Sequence, residues 1–317
     1  MTVCLTWSRA WRKKAWAHAM EVVAMRIGVI GLGDMGSGLA KNVIAAGFEC
    51  TGFDLAQGRM EAFAALGGIP AASAAEAATG ADAVFVMVMT GAQAHDVIVD
   101  QVAPAMAPGS VVLLTATILP DEAAAIGRAL DGTGIALVDT PVSGGFPGAQ
   151  NGTLVMMAAG SDAALDRARP AMEAVSATIH RVGTEPGMGQ TVKACLQSLN
   201  GAIFAGVFES AALAAAAGVK GQVVHDVFVN SSAGCPAVRA ALENIIDRRF
   251  EGTGSHIATM YKDLTIVMDM ARSLGVPQFT ASTAMQLFQA GKTRYPNGDN
   301  WSVTRITEEI TGKELHR

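Results

Sequence analysis

Short apolar runs alternate with longer segments of helical spacing through the first half of the chain. The apolar runs predict strands buried on both faces, at 26–30, 50–53, 83–89, 110–117 and 135–139. The intervening spacing predicts helices at 39–44, 93–106 and 121–130, and a mostly helical stretch at 64–80 with a short strand near Ile69. This alternation predicts βαβ units and a doubly wound, mostly parallel α/β sheet of the Rossmann type.

A glycine-rich turn follows the first predicted strand and opens a helix. Its sequence is Gly31-Leu32-Gly33-Asp34-Met35-Gly36, and an acid, Asp54, ends the second strand. In that context the spacing predicts a dinucleotide site: Gly31 permits the tight turn, Gly33 admits a pyrophosphate, and Gly36 lets helix pack on strand. Asp54 would accept hydrogen bonds from the adenosine ribose and repel a 2′-phosphate, which favours NAD over NADP. Arg59 is a counter-signal, which we interpret as a solvated helix charge.

Two further positions are candidates for cofactor contact. Ligands of open α/β sheets bind beyond the carboxyl ends of the strands. Met89, followed by Thr90, and Thr117 lie at such ends. We predict that Met89 and Thr117 neighbour the nicotinamide ribose, although position alone is equally consistent with ordinary loop residues.

A second glycine-rich segment follows the strand that ends at Asp139. In Ser143-Gly144-Gly145, consecutive backbone N–H groups without bulky side chains could form an anion-binding nest. The alternative is a glycine loop that only turns the chain. Closing strands are predicted at 153–159 and 178–182, with a helix at 163–175 between them.

The longest apolar segment, 190–217, contains no proline and only two charged residues, Lys193 and Glu209. As a helix it would extend about 42 Å, and apolar or small residues on every side predict burial all round. Because alanine and glycine dominate it, we interpret it as a core helix and not as a membrane span. Lys193, Gln197 and Asn200 share one face and would line a cleft. The alternative for Lys193 is a frayed first turn with its amine in solvent.

Helical patterns continue towards the C-terminus, at 221–230, 236–247, 257–274, 280–290 and 302–311. We therefore divide the chain into an N-terminal extension at 1–24, an NAD-binding Rossmann domain at 25–186, and a helical substrate and oligomerisation domain at 187–317. The extension holds three of the four tryptophans and lacks the uninterrupted apolar stretch of a secretory signal. We interpret it as outside the fold; a basic amphipathic targeting or membrane helix is the alternative.

Composition and charge narrow the classes of function. Half of the 317 residues are apolar and 16% are charged, so a large core is expected. A net charge of −5 argues against nucleic-acid and anionic-membrane partners. The four cysteines are scattered, without a CxxC pair or a Cys/His cluster, which indicates a reducing cytoplasm and no metal site. The chain also lacks a GxSxG elbow and a complete P-loop.

Four motifs together resemble the β-hydroxyacid dehydrogenases, the relatives of 3-hydroxyisobutyrate dehydrogenase and tartronate semialdehyde reductase. They are Gly31–Gly36, Asp139 through Leu154, Gly187-Met188-Gly189 with Lys193, and Lys262-Asp263-Leu264. The resemblance implies a Rossmann domain, a long inter-domain helix, and an all-helical C-terminal domain through which a homodimer or homotetramer forms. Within the family the chain is similar to the L-threonate dehydrogenase branch, which oxidises four-carbon sugar acids at C2; Ser232-Ala233-Gly234 adds to that likeness.

The resemblance also implies roles for individual residues. Ser143, Gly144 and Gly145 would hold the carboxylate of a small hydroxy acid, and Gln197 would orient it. Lys193 would be the catalytic acid/base, so that no metal is needed to stabilise the alkoxide. Lys262 would lie beside the cofactor with Asp263 supporting it.

Two departures from the family pattern affect the expected substrate pocket. Leu196 stands where many members carry an amide, and Cys235-Pro236 stands where the L-threonate branch is expected to have larger residues. The hypothesis is therefore NAD⁺-dependent oxidation of a small hydroxy acid, with Lys193 taking the hydroxyl proton. A lysine serves as a base near neutral pH when burial or a nearby cation lowers its pKa.

Three alternatives to this hypothesis stay open. The first is a dehydrogenase or reductase of the 3-hydroxyisobutyrate or tartronate semialdehyde type. The second is an NADPH-dependent reductase of imines or semialdehydes, which Asp54 disfavours. The third is a cofactor-binding scaffold without turnover, which the presence of Lys193 disfavours.

Overall fold

The computed structural model describes residues 25–317, so the predicted extension at 1–24 lies outside the described residues. The chain divides into two compact units, of which the first ends at Lys193 and the second comprises Ala194–Arg317. The division falls within a long helix, one turn after that helix begins.

One sheet organises the first unit. Its strands are β1 (Arg26–Ile30), β2 (Glu49–Phe53), β3 (Ile69–Pro70), β4 (Ala83–Val86), β5 (Val111–Leu114), β6 (Ala136–Asp139), β7 (Val142–Ser143), β8 (Leu154–Ala159) and β9 (Ser176–Gly183). The first six are parallel in the order β3-β2-β1-β4-β5-β6. Strand β8 pairs antiparallel with β6 and β7 and parallel with β9. This is the strand order of doubly wound dinucleotide-binding folds, and it confirms the predicted class.

Helices flank the sheet. They are α1 (Asp34–Ala45), α2 (Gln57–Ala65), α3 (Ala74–Ala78), α4 (Gly91–His95), α5 (Ala103–Ala105), α6 (Pro120–Ala129), α7 (Gly145–Asn151) and α8 (Asp162–Val175). A π-helical segment, Asp96–Val102, joins α4 to α5, where one regular helix was predicted. All residues of β4 and β5 are buried, and Phe85 belongs to one apolar cluster while Val84 and Val86 belong to another. The sheet is therefore covered on both faces, as a continuous apolar strand pattern predicts.

Helix α7 lies between β7 and β8, in the segment for which a glycine loop was the alternative to an anion-binding nest. It lies against α1, where Asn42 Nδ2 donates a hydrogen bond to the carbonyl oxygen of Ala149 at 2.7 Å. The approach is close, because a Cβ at Gly38 would lie 2.6 Å from the carbonyl carbon of Ala149. Glycine has low helix propensity, so contact with α1 stabilises α7 in a segment whose own sequence does not favour a helix.

The second unit is helical, as predicted. Helix α9 (Met188–Ala216) begins in the first unit and ends in the second, and it is followed by α10 (Gly221–Val229), α11 (Pro236–Ile246), α12 (Ile257–Leu274), α13 (Phe279–Arg294) and α14 (Thr304–Thr311). The core of this unit includes Phe208, Leu242 and Phe288. The rings of Phe204 and Trp301 meet edge to face with centroids 5.6 Å apart, a favoured aromatic geometry.

Burial of α9 differs from the prediction. Leu199 is 57% exposed and Leu213 is 73% exposed, so the helix is not buried on every side. The pattern overstated burial because alanine and glycine, which dominate the helix, are compatible with core and surface alike. By length and apolar composition alone α9 could cross a membrane, a property it shares with core helices of soluble proteins.

Candidate active site

The glycine-rich turn after β1 leaves no room for side chains at two of its glycines. A Cβ at Gly31, where φ is +87°, would lie 2.2 Å from the carbonyl oxygen of Met87. A Cβ at Gly36 would lie 1.7 Å from the carbonyl oxygen of Gly31. At Gly33 the nearest atoms to that position belong to the Arg59 guanidinium, 3.7 Å away. The tight turn and the close packing are therefore obligatory, whereas the backbone at Gly33 stays approachable.

The residues of this turn fit the phosphates of a dinucleotide. Helix α1 begins directly after Gly33, which has no side chain to cap the first N–H groups. Unpaired N–H groups at a helix N-terminus, together with the helix dipole, bind phosphate oxygens. A cleft of about 240 Å³ adjoins the turn, lined among others by Leu32, Gly33, Asp34 and Arg59.

Asp54 is held at the edge of this turn. Its side chain is 8% exposed, and its carboxylate accepts hydrogen bonds from the backbone N–H groups of Leu32 at 2.7 Å and Ala56 at 2.9 Å. The Arg59 guanidinium lies 3.2 Å from the same carboxylate. Arg59 lies on α2 with its side chain 54% exposed, as a solvated helix charge would be, and it also forms an ion pair with Asp54 beside the cleft.

The remaining cofactor candidates of the first unit lie beyond the carboxyl ends of β4 and β5. Met89 and Thr117 each follow the last strand residue by three positions. Met89 is 53% exposed, and its backbone N–H donates to Gln93 Oε1 at 3.0 Å. Thr90 caps helix α4 through its hydroxyl, which accepts from the Gln93 backbone N–H at 3.2 Å. The contact of Met89 and Thr117 with a nicotinamide ribose stays a prediction.

Ser143, Gly144 and Gly145 form the junction between β7 and α7. Gly144 has φ +127° and Gly145 has φ +58°, and both glycines are exposed. The two glycines therefore leave an exposed backbone without side chains after β7, a setting in which a carboxylate-binding nest can form. Substrate binding at these residues stays a prediction.

Lys193 is buried near the start of α9. Lys193 is only 7% exposed, so the alternative of a frayed turn with a solvated amine is wrong. Lysine is rarely buried without a partner or a chemical role. Lys193 lies one turn after the first residues of the helix, and how those residues are held decides where its amine can lie.

A buried carboxylate holds the start of α9, a feature that sequence reasoning missed. Asp139, at the end of β6, has no exposed surface. Its Oδ2 accepts hydrogen bonds from the backbone N–H groups of Gly187 at 2.8 Å and Gln190 at 3.2 Å. Its Oδ1 accepts from the Gln190 side-chain amide at 2.7 Å. In the sequence Asp139 enters only through the family motif. The available signal is an acid at the end of a predicted strand, and that signal does not identify the partner of the acid.

The Gln190 side chain extends this network to the loop after β5. Its Oε1 accepts from the Ile118 backbone N–H at 3.1 Å, and its Nε2 donates to the Ala116 carbonyl oxygen at 3.0 Å. Gln190 is itself fully buried. Both ends of its amide are therefore used, and the first turn of α9 is tied to two strands of the sheet.

The Asp139 network predicts how stability depends on pH. Burial raises the pKa of Asp139 from 3.8 to about 6, against hydrogen bonds from Gln190, Gly187 and Gly189 that lower it. The pKa of Asp139 is higher in the folded chain than in the unfolded chain, so the protonated carboxyl favours the folded state. Its contribution to the unfolding free energy is complete below the unfolded-state pKa and is lost as pH rises through the folded-state pKa. From pH ~4 to ~7.5 we expect the unfolding free energy of the wild type, measured relative to Asp139→Asn, to fall by about 2 kcal/mol. Urea titrations across that range test this, and a difference that stays constant with pH would contradict it.

Gly189 allows α9 to begin this close to the sheet. A Cβ there would lie 2.6 Å from the carbonyl oxygen of Met157 and 2.7 Å from that of Asp139. We expect Gly189→Ala to destabilise the chain by about 1–3 kcal/mol, because backbone atoms must move to admit the methyl group. Gly206→Ala on the same helix is the control: nothing lies within 4 Å of its Cβ position, so it should gain up to about 1 kcal/mol. If the two substitutions shifted the thermal unfolding temperature equally, the close approach of Gly189 to the sheet would not contribute to stability.

In the second unit a polar cluster surrounds Asp263. Gln197 Nε2 donates to Asp263 Oδ2 at 2.5 Å, and Gln197 Oε1 accepts from Asn200 Nδ2 at 2.9 Å. Lys262 Nζ lies 3.0 Å from Asp263 Oδ1. Asp263 is 4% exposed, so the ion pair joins a buried acid to a lysine whose side chain is 26% exposed. The Gln197 amide is occupied by protein partners, and its predicted contact with substrate stays untested.

Among residues 25–317, one group has atoms spaced closely enough for a metal ion. It consists of His95, Asp96 and Asp100, whose ligand atoms lie within 4.8 Å of one another. All three side chains are exposed, and exposed acidic groups are common without an ion. The group does not adjoin the glycine-rich turn or Lys193 in the sequence, and no step of the chemistry below depends on it.

Comparison with known families matches both units of the chain. The NAD-binding domain of 6-phosphogluconate dehydrogenase matches residues 26–183. The NAD-binding region of NADP-dependent 3-hydroxyisobutyrate dehydrogenase matches residues 187–306. An L-threonate dehydrogenase of Escherichia coli O6:H1 is 35% identical over 90% of this chain and 95% of its own length. The chain belongs to the 3-hydroxyisobutyrate dehydrogenase family.

Other family members support the same placement. An NAD-dependent L-serine dehydrogenase of Pseudomonas aeruginosa is 34% identical, covering 91% of this chain and 99% of that protein. The crystal structure of 3-hydroxyisobutyrate dehydrogenase from Salmonella typhimurium superposes with a TM-score of 0.83, at 34% identity over 89% of this chain and 99% of that one. The predicted family, the oxidoreductase class and the NAD cofactor are confirmed, and the alternative of a non-catalytic scaffold is set aside.

Proposed function

We propose that this family member oxidises a four-carbon sugar acid such as L-threonate at C2, with NAD⁺ as hydride acceptor and Lys193 as general base. The observation that carries the proposal is the buried lysine one turn into α9, beside an anchored helix start. The similarity to L-threonate dehydrogenases, 35% over 90% of the chain, supports the substrate class.

The chemistry assigned to Lys193 is transfer of one proton. Its Nζ takes the proton of the substrate hydroxyl while the hydrogen on the same carbon leaves with its electron pair. Bound NAD⁺ supplies the acceptor for that hydride at its nicotinamide ring. In the reverse direction the Lys193 ammonium returns the proton to the forming alkoxide. A positioned acid/base of this kind contributes roughly 10²–10⁴ in rate.

Other residues bind and orient. The first N–H groups of α1, after Gly33, hold the pyrophosphate, and Asp54 accepts from the adenosine ribose. The backbone N–H groups at Ser143, Gly144 and Gly145 hold the substrate carboxylate.

The test is a panel of hydroxy acids with three to six carbons, each assayed for NADH formation by ultraviolet absorbance. The proposal expects L-threonate to give the highest kcat/KM with NAD⁺. L-threonate carrying deuterium at C2 should pass that deuterium to the nicotinamide ring and turn over more slowly. Turnover only of acids that carry a hydroxyl at C3 and none at C2, or NADH without deuterium from the labelled L-threonate, would refute oxidation at C2.

A second candidate function is oxidation of a 3-hydroxy acid of the 3-hydroxyisobutyrate type. The observation that favours it is the superposition on a 3-hydroxyisobutyrate dehydrogenase with a TM-score of 0.83. Cys235-Pro236 differs from the pattern expected of the L-threonate branch, which keeps this candidate open. Leu196 differs from many members of the whole family and does not separate the two candidates. The same panel separates the two, because 3-hydroxyisobutyrate has no hydroxyl at C2.

The proposal includes a homodimer or homotetramer in the cytoplasm. Large apolar side chains are exposed on the second unit, among them Phe279 and Ile310, each 80% exposed, and Leu213. Exposed apolar surface of this kind is typical of an interface between subunits. Sedimentation equilibrium of the full chain tests the assembly, and a monomer at micromolar concentration would contradict it.

A further inference from the structure

We propose that Asp139 and Gln190 are positioning residues for Lys193: together they fix the first turn of α9 and thereby the place of the amine. This inference rests on the proposed role of Lys193. It concerns residues that touch neither substrate nor cofactor in the proposal and act through the helix alone. All of the contacts involved lie within the first unit.

The geometry of the Asp139 carboxylate is that of a helix cap supplied from a distant strand. The first N–H groups of a helix have no partner within the helix. One oxygen of Asp139 accepts two of them, from Gly187 and Gln190. A negative charge at this end also interacts favourably with the helix dipole. The start of α9 is therefore fixed to the end of β6, which lies at the edge of the sheet where ligands bind in this class of fold.

The side chain of Gln190 attaches the start of α9 to a second strand, through the loop that follows β5. Its amide donates to Asp139 and to Ala116 and accepts from Ile118. Lys193 follows Gln190 by three positions, so the two side chains lie on neighbouring rows of one helix face. A rotation or shift of the first turn would carry the lysine with it, and a misplacement of about 1 Å can lower a rate by about 10²-fold.

The electrostatic cost of Asp139 supports a role beyond stability. The group is fully buried, and a buried carboxylate that ionises lowers the stability of the fold at neutral pH. A neutral side chain would avoid that cost. Residues that break a local rule for stability are expected at functional sites, and an ionised Asp139 is the acceptor that three N–H groups at the helix start share.

The experiment is a double-mutant cycle between Asp139 and Lys193, measured on the full chain with NAD⁺ and the best hydroxy acid of the panel. In Asp139→Asn, an NH₂ group faces the Gln190 amide, so the bond between them is lost. We expect kcat to fall by about 10²-fold while KM for both substrates changes by less than about threefold. In the Lys193→Ala background the same substitution should change the residual rate by less than about threefold, because the group it positions is absent.

The control variant is Asp82→Asn. Asp82 precedes β4, and its carboxylate accepts from the Arg26 backbone N–H at 2.9 Å. The Asp82→Asn substitution therefore removes one negative charge beside the same sheet, as Asp139→Asn does, but it removes no contact with α9. Its kcat should equal that of the wild type within about twofold. If Asp139→Asn does not fold, Gln190→Met serves instead, because it removes the side-chain bonds and keeps both backbone bonds to Asp139.

The outcomes separate this inference from the proposed function. Equal losses of rate from Asp139→Asn with and without Lys193 would assign Asp139 a purely structural role and overturn the inference. Wild-type kcat in both Asp139→Asn and Gln190→Met, with Lys193→Ala inactive, would also overturn it and leave the proposed function intact. Wild-type turnover in Lys193→Ala would instead overturn the proposed function, and the inference with it.

Discussion

Lys193→Ala is expected to lower kcat by roughly 10²–10⁴-fold, the usual contribution of a positioned acid/base. The reason is that no other group in the proposal accepts the hydroxyl proton as hydride leaves. NAD⁺ binding should be unchanged, since the turn at Gly31–Gly36 does not involve the lysine. Steady-state kinetics with NAD⁺, together with calorimetric titration of the cofactor, measure both quantities.

The matched control for this prediction is Lys220→Ala. Lys220 is exposed and precedes α10, so its loss removes the same charge without affecting the site. A small primary amine added to Lys193→Ala should restore part of the rate, and more basic amines should restore more. Near wild-type turnover in Lys193→Ala with intact NAD⁺ binding would show that the role is assigned to the wrong residue.

Asp54→Asn is expected to shift the ratio of kcat/KM values for NADP⁺ over NAD⁺ upwards by about 10²–10³-fold. Loss of a hydrogen bond to a charged group costs about 1.5–3 kcal/mol, which weakens NAD⁺. Loss of the negative charge also removes repulsion of a 2′-phosphate. The asparagine oxygen still accepts from the Leu32 N–H, so the turn should keep its shape. Kinetics with the two cofactors measure the ratio directly.

Two variants isolate the cause of that shift. Glu61→Gln removes an exposed acid from α2 and should leave the ratio unchanged, because the Glu61 carboxylate accepts a hydrogen bond from Gln57 on the same helix, at 3.2 Å. Arg59 lines the cleft, and once released from its ion pair with Asp54 we expect it to contact a 2′-phosphate. Adding Arg59→Ala to Asp54→Asn should therefore abolish most of the gain with NADP⁺. An unchanged ratio in Asp54→Asn itself would remove Asp54 from cofactor discrimination.

The parts of the fold that follow from local chemistry were predictable from the sequence. Strands β4 and β5 are buried on both faces, and a parallel strand in that position must be continuously apolar. The roles of Gly31 and Gly36 follow from backbone geometry alone, and both positions exclude a Cβ. A lysine in an apolar helix predicted a buried functional group, and Lys193 is buried.

The parts that depend on contacts between distant residues were not predictable. Helix α7 forms in a glycine-rich segment because α1 supplies its partner at Asn42. The Asp139–Gln190 bond joins residues 51 positions apart, and nothing in either local sequence specifies it. The ion pair between Arg59 and Asp54 likewise required the turn of the chain between β2 and α2. Local patterns therefore located the site, whereas its supporting contacts came only from the three-dimensional structure.

The account depends on where the Lys193 amine lies relative to the reacting hydroxyl. A crystal structure of the full chain with NAD⁺ and a slowly reacting C2-hydroxy acid bound measures that distance directly. We predict that Nζ lies within about 2.6–3.2 Å of the C2 hydroxyl oxygen, the reach of a proton-transferring group. A complex in which Nζ faces bulk water, beyond hydrogen-bond reach of the substrate, would contradict the account.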